Sequence, residues 1–258
     1  MFKNIWKYNN YIKGSVYRDF SRKHQNAMLG FAWSLINPLI MIFLYTIVFS
    51  EFMKMKLDSN ASYPIYLCIG IITWSFFSET INKGLNIFIE NSSILKKNNI
   101  PKIVLPIICI TNTAINFSIT FSLFLIYLII VDCWPGMVIV STLPILIIQI
   151  ILAMGIAVII GLLNVFFRDV AQIMLVVLQL WFWLTPIVYP IEILPDNLAQ
   201  KIHLNPITPL MIAYHNIYVS KTCPEWNTLI YPFILGVLLC VIGLKLYREK
   251  AGDMVDEL

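Results

Sequence analysis

The side chains able to do chemistry are few in this chain and poorly spaced for it. His24, His203 and His215 stand far apart, and none shares a ligand spacing with a carboxylate cluster. Each reads as a structural or interfacial histidine. Of five cysteines, Cys68, Cys109 and Cys240 lie in apolar runs and read as packing residues. Cys133 and Cys223 fall in two loops on one side, where an oxidising compartment could join them. No CxxC or Cys/His spacing points to a metal. No G-x-x-x-x-G-K-[ST] is present, so the chain binds no nucleotide through a P-loop; H-E-x-x-H and G-x-S-x-G are missing as well. No catalytic residue, metal or cofactor is assigned to this chain. Glu79, Asp132 and Asp169 fall only at the ends of apolar runs. Proton relays and many ion-coupled transporters place ionisable groups in mid-span. A secondary transporter is therefore disfavoured, although sodium sites built from backbone carbonyls stay open.

The elements that carry these residues are six uncharged runs. They extend over 27–50, 59–78, 103–131, 133–167, 170–191 and 226–244. About 20 apolar residues cross a bilayer core as a helix, and backbone in lipid must satisfy its own hydrogen bonds. The expected fold is therefore an all-α integral membrane domain of six spans, near 35–52, 63–80, 103–131, 137–163, 170–189 and 228–247. Composition agrees, with 59% hydrophobic and only 12% charged residues among 258, against about 25% charged in soluble domains. Nothing separates a second domain, and the net charge of +4 shows no basic module of the kind that binds nucleic acid.

The basic residues orient the spans. Lys3, Lys7, Lys13, Arg18, Arg22 and Lys23 precede the first, and Lys83, Lys96, Lys97 and Lys102 follow the second. Arg168 follows the fourth, and Lys245, Arg248 and Lys250 end the chain. Only Lys54, Lys56, Lys201 and Lys221 fall on the other side. The positive-inside rule puts both termini in the cytoplasm, as an even number of spans requires. The charged segment before the first run has no small-residue cleavage site, so no cleaved signal peptide is expected.

Four stretches stand out beyond the spans. Residues 1–34 form a cytoplasmic or interfacial segment in which Ile5, Ile12, Val16 and Phe20 fall near one helical face, with Arg18, Arg22 and Lys23 elsewhere. That pattern reads as an amphipathic helix in the membrane interface or as a plain topogenic segment. Asn37-Pro38 is expected to interrupt the first span. Residues 79–102 make the longest inward loop. Asn91, Ser92 and Ser93 can cap a short helix limited by Pro101, with Lys96 and Lys97 exposed. That is a docking surface or an ordinary basic connector. Ala153, Ala157 and Gly161 recur every four residues, a spacing that lets helices approach closely in lipid. The segment 185–227 holds six prolines yet is mostly apolar. It reads as short re-entrant or interfacial helices rather than a solvated loop.

The interior offers aromatics instead of charges. Trp33, Tyr45, Tyr66 and Trp74 belong to the first two spans or their ends, and Trp181, Trp183 and Tyr189 to the fifth. Interface anchoring is one reading. The other is a channel lining of rings that stack on sugar faces, with Tyr45, Trp181, Trp183 and Tyr189 as its candidates.

Two stretches carry a resemblance. YRDFSRKHQNAMLGFAWSLINPLIMIFLYTIVF, Tyr17 to Phe49, has a basic interface helix, then Leu-Gly, a Trp and an Asn-Pro pair opening the first span. NVFFRDVAQIMLVVLQLWFWLTPIVY, Asn164 to Tyr189, is followed by Leu194-Pro195 and Asn205-Pro206. In this order they resemble the ABC transporter permeases that export polysaccharide or polyol phosphate, the group serving O-antigen, capsule and teichoic acid. The resemblance covers nearly the whole chain. It implies a homodimer of six-span protomers in the bacterial inner membrane, with the channel along the dimer interface. It implies two copies of a separate ATPase that binds ATP and Mg beneath. It implies a lipid-linked, polyprenyl-borne polysaccharide as substrate, O-antigen foremost. The amphipathic helix maps to roughly residues 5–26, the coupling helix to 91–101, and the periplasmic gate helices to the proline-broken segment. Two other readings stay open. A membrane-embedded enzyme acting on polyprenyl-linked sugars would need paired carboxylates or a metal, and Asp169 beside Arg168 is poor material. A small-molecule or lipid exporter of the same superfamily is the other.

Overall fold

The computed structural model describes residues 9–25, 32–48, 63–92, 104–250 and 252–257. Among them the chain is helical, with no strand. The helices are α1 (Asn9–Gln25), α2 (Ala32–Thr46), α3 (Tyr63–Glu90), α4 (Val104–Ile130), α5 (Thr142–Phe166) and α6 (Val170–Trp183). Then come α7 (Asp196–Ile202), α8 (Thr208–Tyr218), α9 (Trp226–Lys250) and α10 (Asp253–Glu257). Four helical stretches are long and apolar enough to cross a membrane: α3, α4, α9, and α5 joined to its preceding 3-10 turn at Gly136–Ser141. α2 and α6 are apolar but shorter.

α3 is the central post. Most of its side chains are buried, among them Phe77, Ile81, Leu85 and Phe88. α4 and α5 pack along it, α8 closes its first half, and α9 lies against the far side of α5. At 1.5 Å per residue its 28 residues make about 42 Å, some 12 Å more than a bilayer core. The extra length corrects the expectation of a loop from residue 79. Ile81, Leu85 and Phe88 recur at helical spacing and are all buried, so ETINKGLNIFIE continues the helix to Glu90. The Asn91 side-chain amide donates back to the Ile87 carbonyl at 2.8 Å at the end of α3. Ser93, Lys96, Lys97 and Pro101 lie outside the described residues.

Two further expectations change. α2 runs through Pro38 instead of breaking there. α6 stops at Trp183, six residues short of the expected end, because Pro186 has no backbone donor to continue it. The reversal between α4 and α5 takes a Schellman form. The Cys133 N–H donates to the Leu128 carbonyl and the Asp132 N–H to that of Ile129, with Asp132 at φ 57°. Cys133 and Cys223 are both free thiols.

Backbones meet where side chains vanish. A Cβ on Gly155 of α5 would lie 2.7 Å from the Leu239 Cβ and 2.9 Å from the Cys240 nitrogen of α9. A Cβ on Gly236 would lie 2.9 Å from the Leu152 nitrogen. This crossing of α5 and α9 exists because both positions lack a side chain.

Candidate functional site

One end of the bundle is built from residues 184–219. α8 is largely enclosed: Leu210, Met211, Tyr214 and Ile217 have no exposed surface. Its 11 residues give about 16 Å, too short to span. Polar bonds tie it to the long helices. The Tyr214 hydroxyl donates to Gln149 Oε1 of α5 at 2.8 Å, and the Gln149 amide donates to the Thr73 carbonyl of α3 at 2.7 Å. Tyr218 and Thr142 share a bond of 2.8 Å.

The turn between α6 and α7 is held from α3. The Tyr66 hydroxyl donates to the carbonyls of Tyr189 at 2.8 Å and Pro186 at 3.2 Å, and the Tyr63 hydroxyl donates to that of Val188. His215 of α8 stacks on the Tyr66 ring, centroids 3.6 Å apart and planes 18° from parallel. Its Nε2 faces the Tyr66 carbonyl at 3.2 Å. Gly70 makes this fit, since a Cβ there would come 2.9 Å from the Ile187 oxygen and 3.2 Å from His215 Nε2. Burial holds the imidazole neutral and lowers its pKa from 6.5 to about 3, against the opposing pull of the Tyr66 carbonyl. Composition and spacing could not reveal this clamp, because its partners are more than a hundred residues apart. The lone His215 is thus a structural histidine.

The expected aromatic lining divides in the structure. The Trp181 ring packs edge-on against Phe77 at 5.6 Å and Trp74 at 6.5 Å, and its Nε1 donates to Asn205 Oδ1 at 2.8 Å. It is engaged inside the protomer. Trp183 is 60% exposed, on the same open stripe of α6 as Ile173, Val176 and Leu180. Tyr189 is half-buried and donates to the Trp183 carbonyl at 3.0 Å. The Tyr45 side chain lies outside the described residues.

Ala153, Ala157 and Gly161 are buried on α5. A Cβ added at Gly84 of α3 would run into Ala157, so this face of α5 lies against α3 within one protomer.

At the other end, α1 lies against α4. Ile12 and Val16 are buried, while Lys13, Tyr17, Arg18 and Asp19 are exposed. Arg18 donates to the Ser15 hydroxyl at 2.9 Å and lies 5.9 Å from the Tyr11 ring centre. Asp19 accepts from the Asn112 amide of α4 at 2.9 Å, which anchors α1 to a long helix. The side chains of Arg22 and Lys23 lie outside the described residues. Ser92 is the last described residue after α3. Among the described residues no three His, Cys, Asp or Glu side chains converge as metal ligands.

A bundle of long apolar helices, with a helix laid along one end and a short buried helix plugging the other, is the frame of a membrane transport subunit. The chain belongs to the ABC-2 type transporter family, which matches residues 11–219. It is similar over most of its length to proteins named O-antigen export system permease protein RfbA. One from Klebsiella pneumoniae is 26% identical over 234 residues, covering 90% of this chain and 88% of its own. One from Myxococcus xanthus is 24% identical over 260 residues, covering 100% and 99%. The polysialic acid transport protein KpsM of Escherichia coli is 21% identical over 252 residues, covering 95% of each.

Proposed function

We propose that this chain is the permease subunit of an ABC exporter that carries a lipid-linked cell-surface polysaccharide, O-antigen foremost, across the bacterial inner membrane. The observation that carries the reading is end-to-end similarity to permeases named for O-antigen and polysialic acid transport. The missing P-loop agrees, because the energy must then come from a separate ATPase that binds ATP and Mg.

In this reading the four long stretches and the shorter α2 and α6 make six spans. Basic residues hold both termini in the cytoplasm. Two copies pair, two ATPase subunits dock beneath them at residues 91–101, and α1 lies in the interface. The polymer passes between the copies, along a surface to which Tyr45, Trp183 and Tyr189 contribute and which Trp181 braces from behind. An exposed apolar stripe such as that of α6 suits a helix facing lipid or a second copy.

The test is genetic and biochemical together. Removing the chain from its native host leaves polymer synthesised but trapped inside, and restoring it with its ATPase returns polymer to the surface. Surface polymer that survives removal, or ATP hydrolysis by the purified chain alone, refutes the reading.

A further inference from the structure

α2, α3 and α4 enclose a cleft of about 200 Å³. Part of its wall is apolar, with Met41, Ile72 and Phe117. The rest is not. Ser75 and Glu79 lie one turn apart on α3, and Asn116 and Thr120 one turn apart on α4, so each helix turns a polar stripe into the same space. Asn37 of α2 adds an amide from the third side. Asn37 and Ser75 are exposed to the cleft, and Glu79 and Asn116 are half-buried.

Glu79 is the unusual member. Counting about 20 residues from Tyr63 for the bilayer core puts Glu79 within the last turn of the crossing part of α3, not at a helix end. An ionisable group so near the membrane interface still has to find partners. Its Oε1 accepts from Asn116 Nδ2 at 2.7 Å and from Lys83 Nζ at 2.8 Å. The carboxylate is thereby paired and held in place.

The chemistry of the lining selects its occupant. An anion would meet the Glu79 carboxylate, and a cation would find that carboxylate already paired with Lys83. An acyl chain would leave Asn37 and Ser75 facing hydrocarbon. A hydroxyl-rich ring both donates and accepts, and it has an apolar face for Phe117. Size agrees, since the cavity exceeds the ~30 Å³ share of one water several times over but falls below the ~300–1,000 Å³ of drug-sized sites. It suits one ring and not a run of them. We propose that this cleft is a binding subsite for a single uncharged sugar unit of the polymer. The proposal rests on the export reading above, and places a saccharide contact inside each protomer, away from the surface between copies.

The test puts a benzophenone photo-crosslinking amino acid at Ser75 of the full chain, with its ATPase, in cells making the polymer. The expected result is a saccharide-bearing adduct at position 75. It is absent in cells unable to start polymer synthesis, and absent when the probe stands at Ile129, an exposed residue near the other end of α4. Glu79→Gln keeps the shape but loses a charged acceptor, and should slow export about tenfold with the permease still assembled in the membrane. A lipid-only adduct at 75, or undiminished export by Glu79→Gln, overturns the subsite while export by the unsubstituted pair upholds the transporter reading. No export by that pair overturns both.

Discussion

His215 shows how one side chain ties two distant parts of the chain together. Its ring covers Tyr66, which in turn holds the carbonyls of Pro186 and Tyr189. The folded imidazole is held near pKa 3 while its ordinary value is 6.5. Below about pH 6.5 the unfolded chain therefore takes up a proton that the folded chain refuses. Stability is full above 6.5 and falls as pH drops toward 3. The thermal midpoint of the purified permease should be lower at pH 5 than at pH 7.5. His215→Gln should lower the midpoint at pH 7.5 yet shrink the difference between the two conditions. An undiminished difference in the variant would assign the pH response to another group.

Among the elements, the crossing of α5 and α9 is the most demanding. Gly155 faces the Cys240 backbone and Gly236 faces that of Leu152, so neither neighbour yields by rotating a side chain. Gly155→Val should cost about 1–3 kcal/mol or more through overpacking, read as a lower midpoint and a smaller folded fraction in membranes. Gly252→Ala, which meets nothing within 4 Å, should leave both unchanged. Equal behaviour of the two variants would mean the crossing is looser than its geometry. The small-residue spacing at Ala153, Ala157 and Gly161 was legible as a contact face. That its partner is α3 of the same protomer, and that Gly155 serves α9 instead, depends on how four helices assemble.

At the scale of the whole molecule, transport requires that hydrolysis in one subunit move helices in another. Lys96 and Lys97, in the sequence after α3, are the charges that the proposed docking offers the ATPase. Because α3 is one continuous helix from Tyr63 to Glu90, it joins the docking segment to Tyr66 and the turn between α6 and α7 in the proposed coupling. Lys96→Glu with Lys97→Glu should leave the protein inserted and the ATPase active, while polymer export drops about tenfold or more through charge repulsion. Full export in this double variant would move the contact elsewhere.

Length and charge-free runs were enough to read a helical membrane protein from the sequence. Hydrophobic transfer and the demand for internal backbone bonds act residue by residue, so a linear reading captures them. The same holds for Ile12 and Val16, whose buried face shows in their spacing. ETINKGLNIFIE was misjudged because its charges mark a loop by composition, whereas Ile81, Leu85 and Phe88 were the periodic signal that keeps it helical. The clamp of Tyr63, Tyr66 and His215 on the turn between α6 and α7, the engagement of Trp181 by Asn205, and the meeting of Ser75, Glu79, Asn116 and Thr120 around one cleft belong to tertiary structure alone. Each joins residues on separate helices, and which faces meet is decided by where glycine and alanine let backbones close. That is a property of the packed bundle and of no single segment.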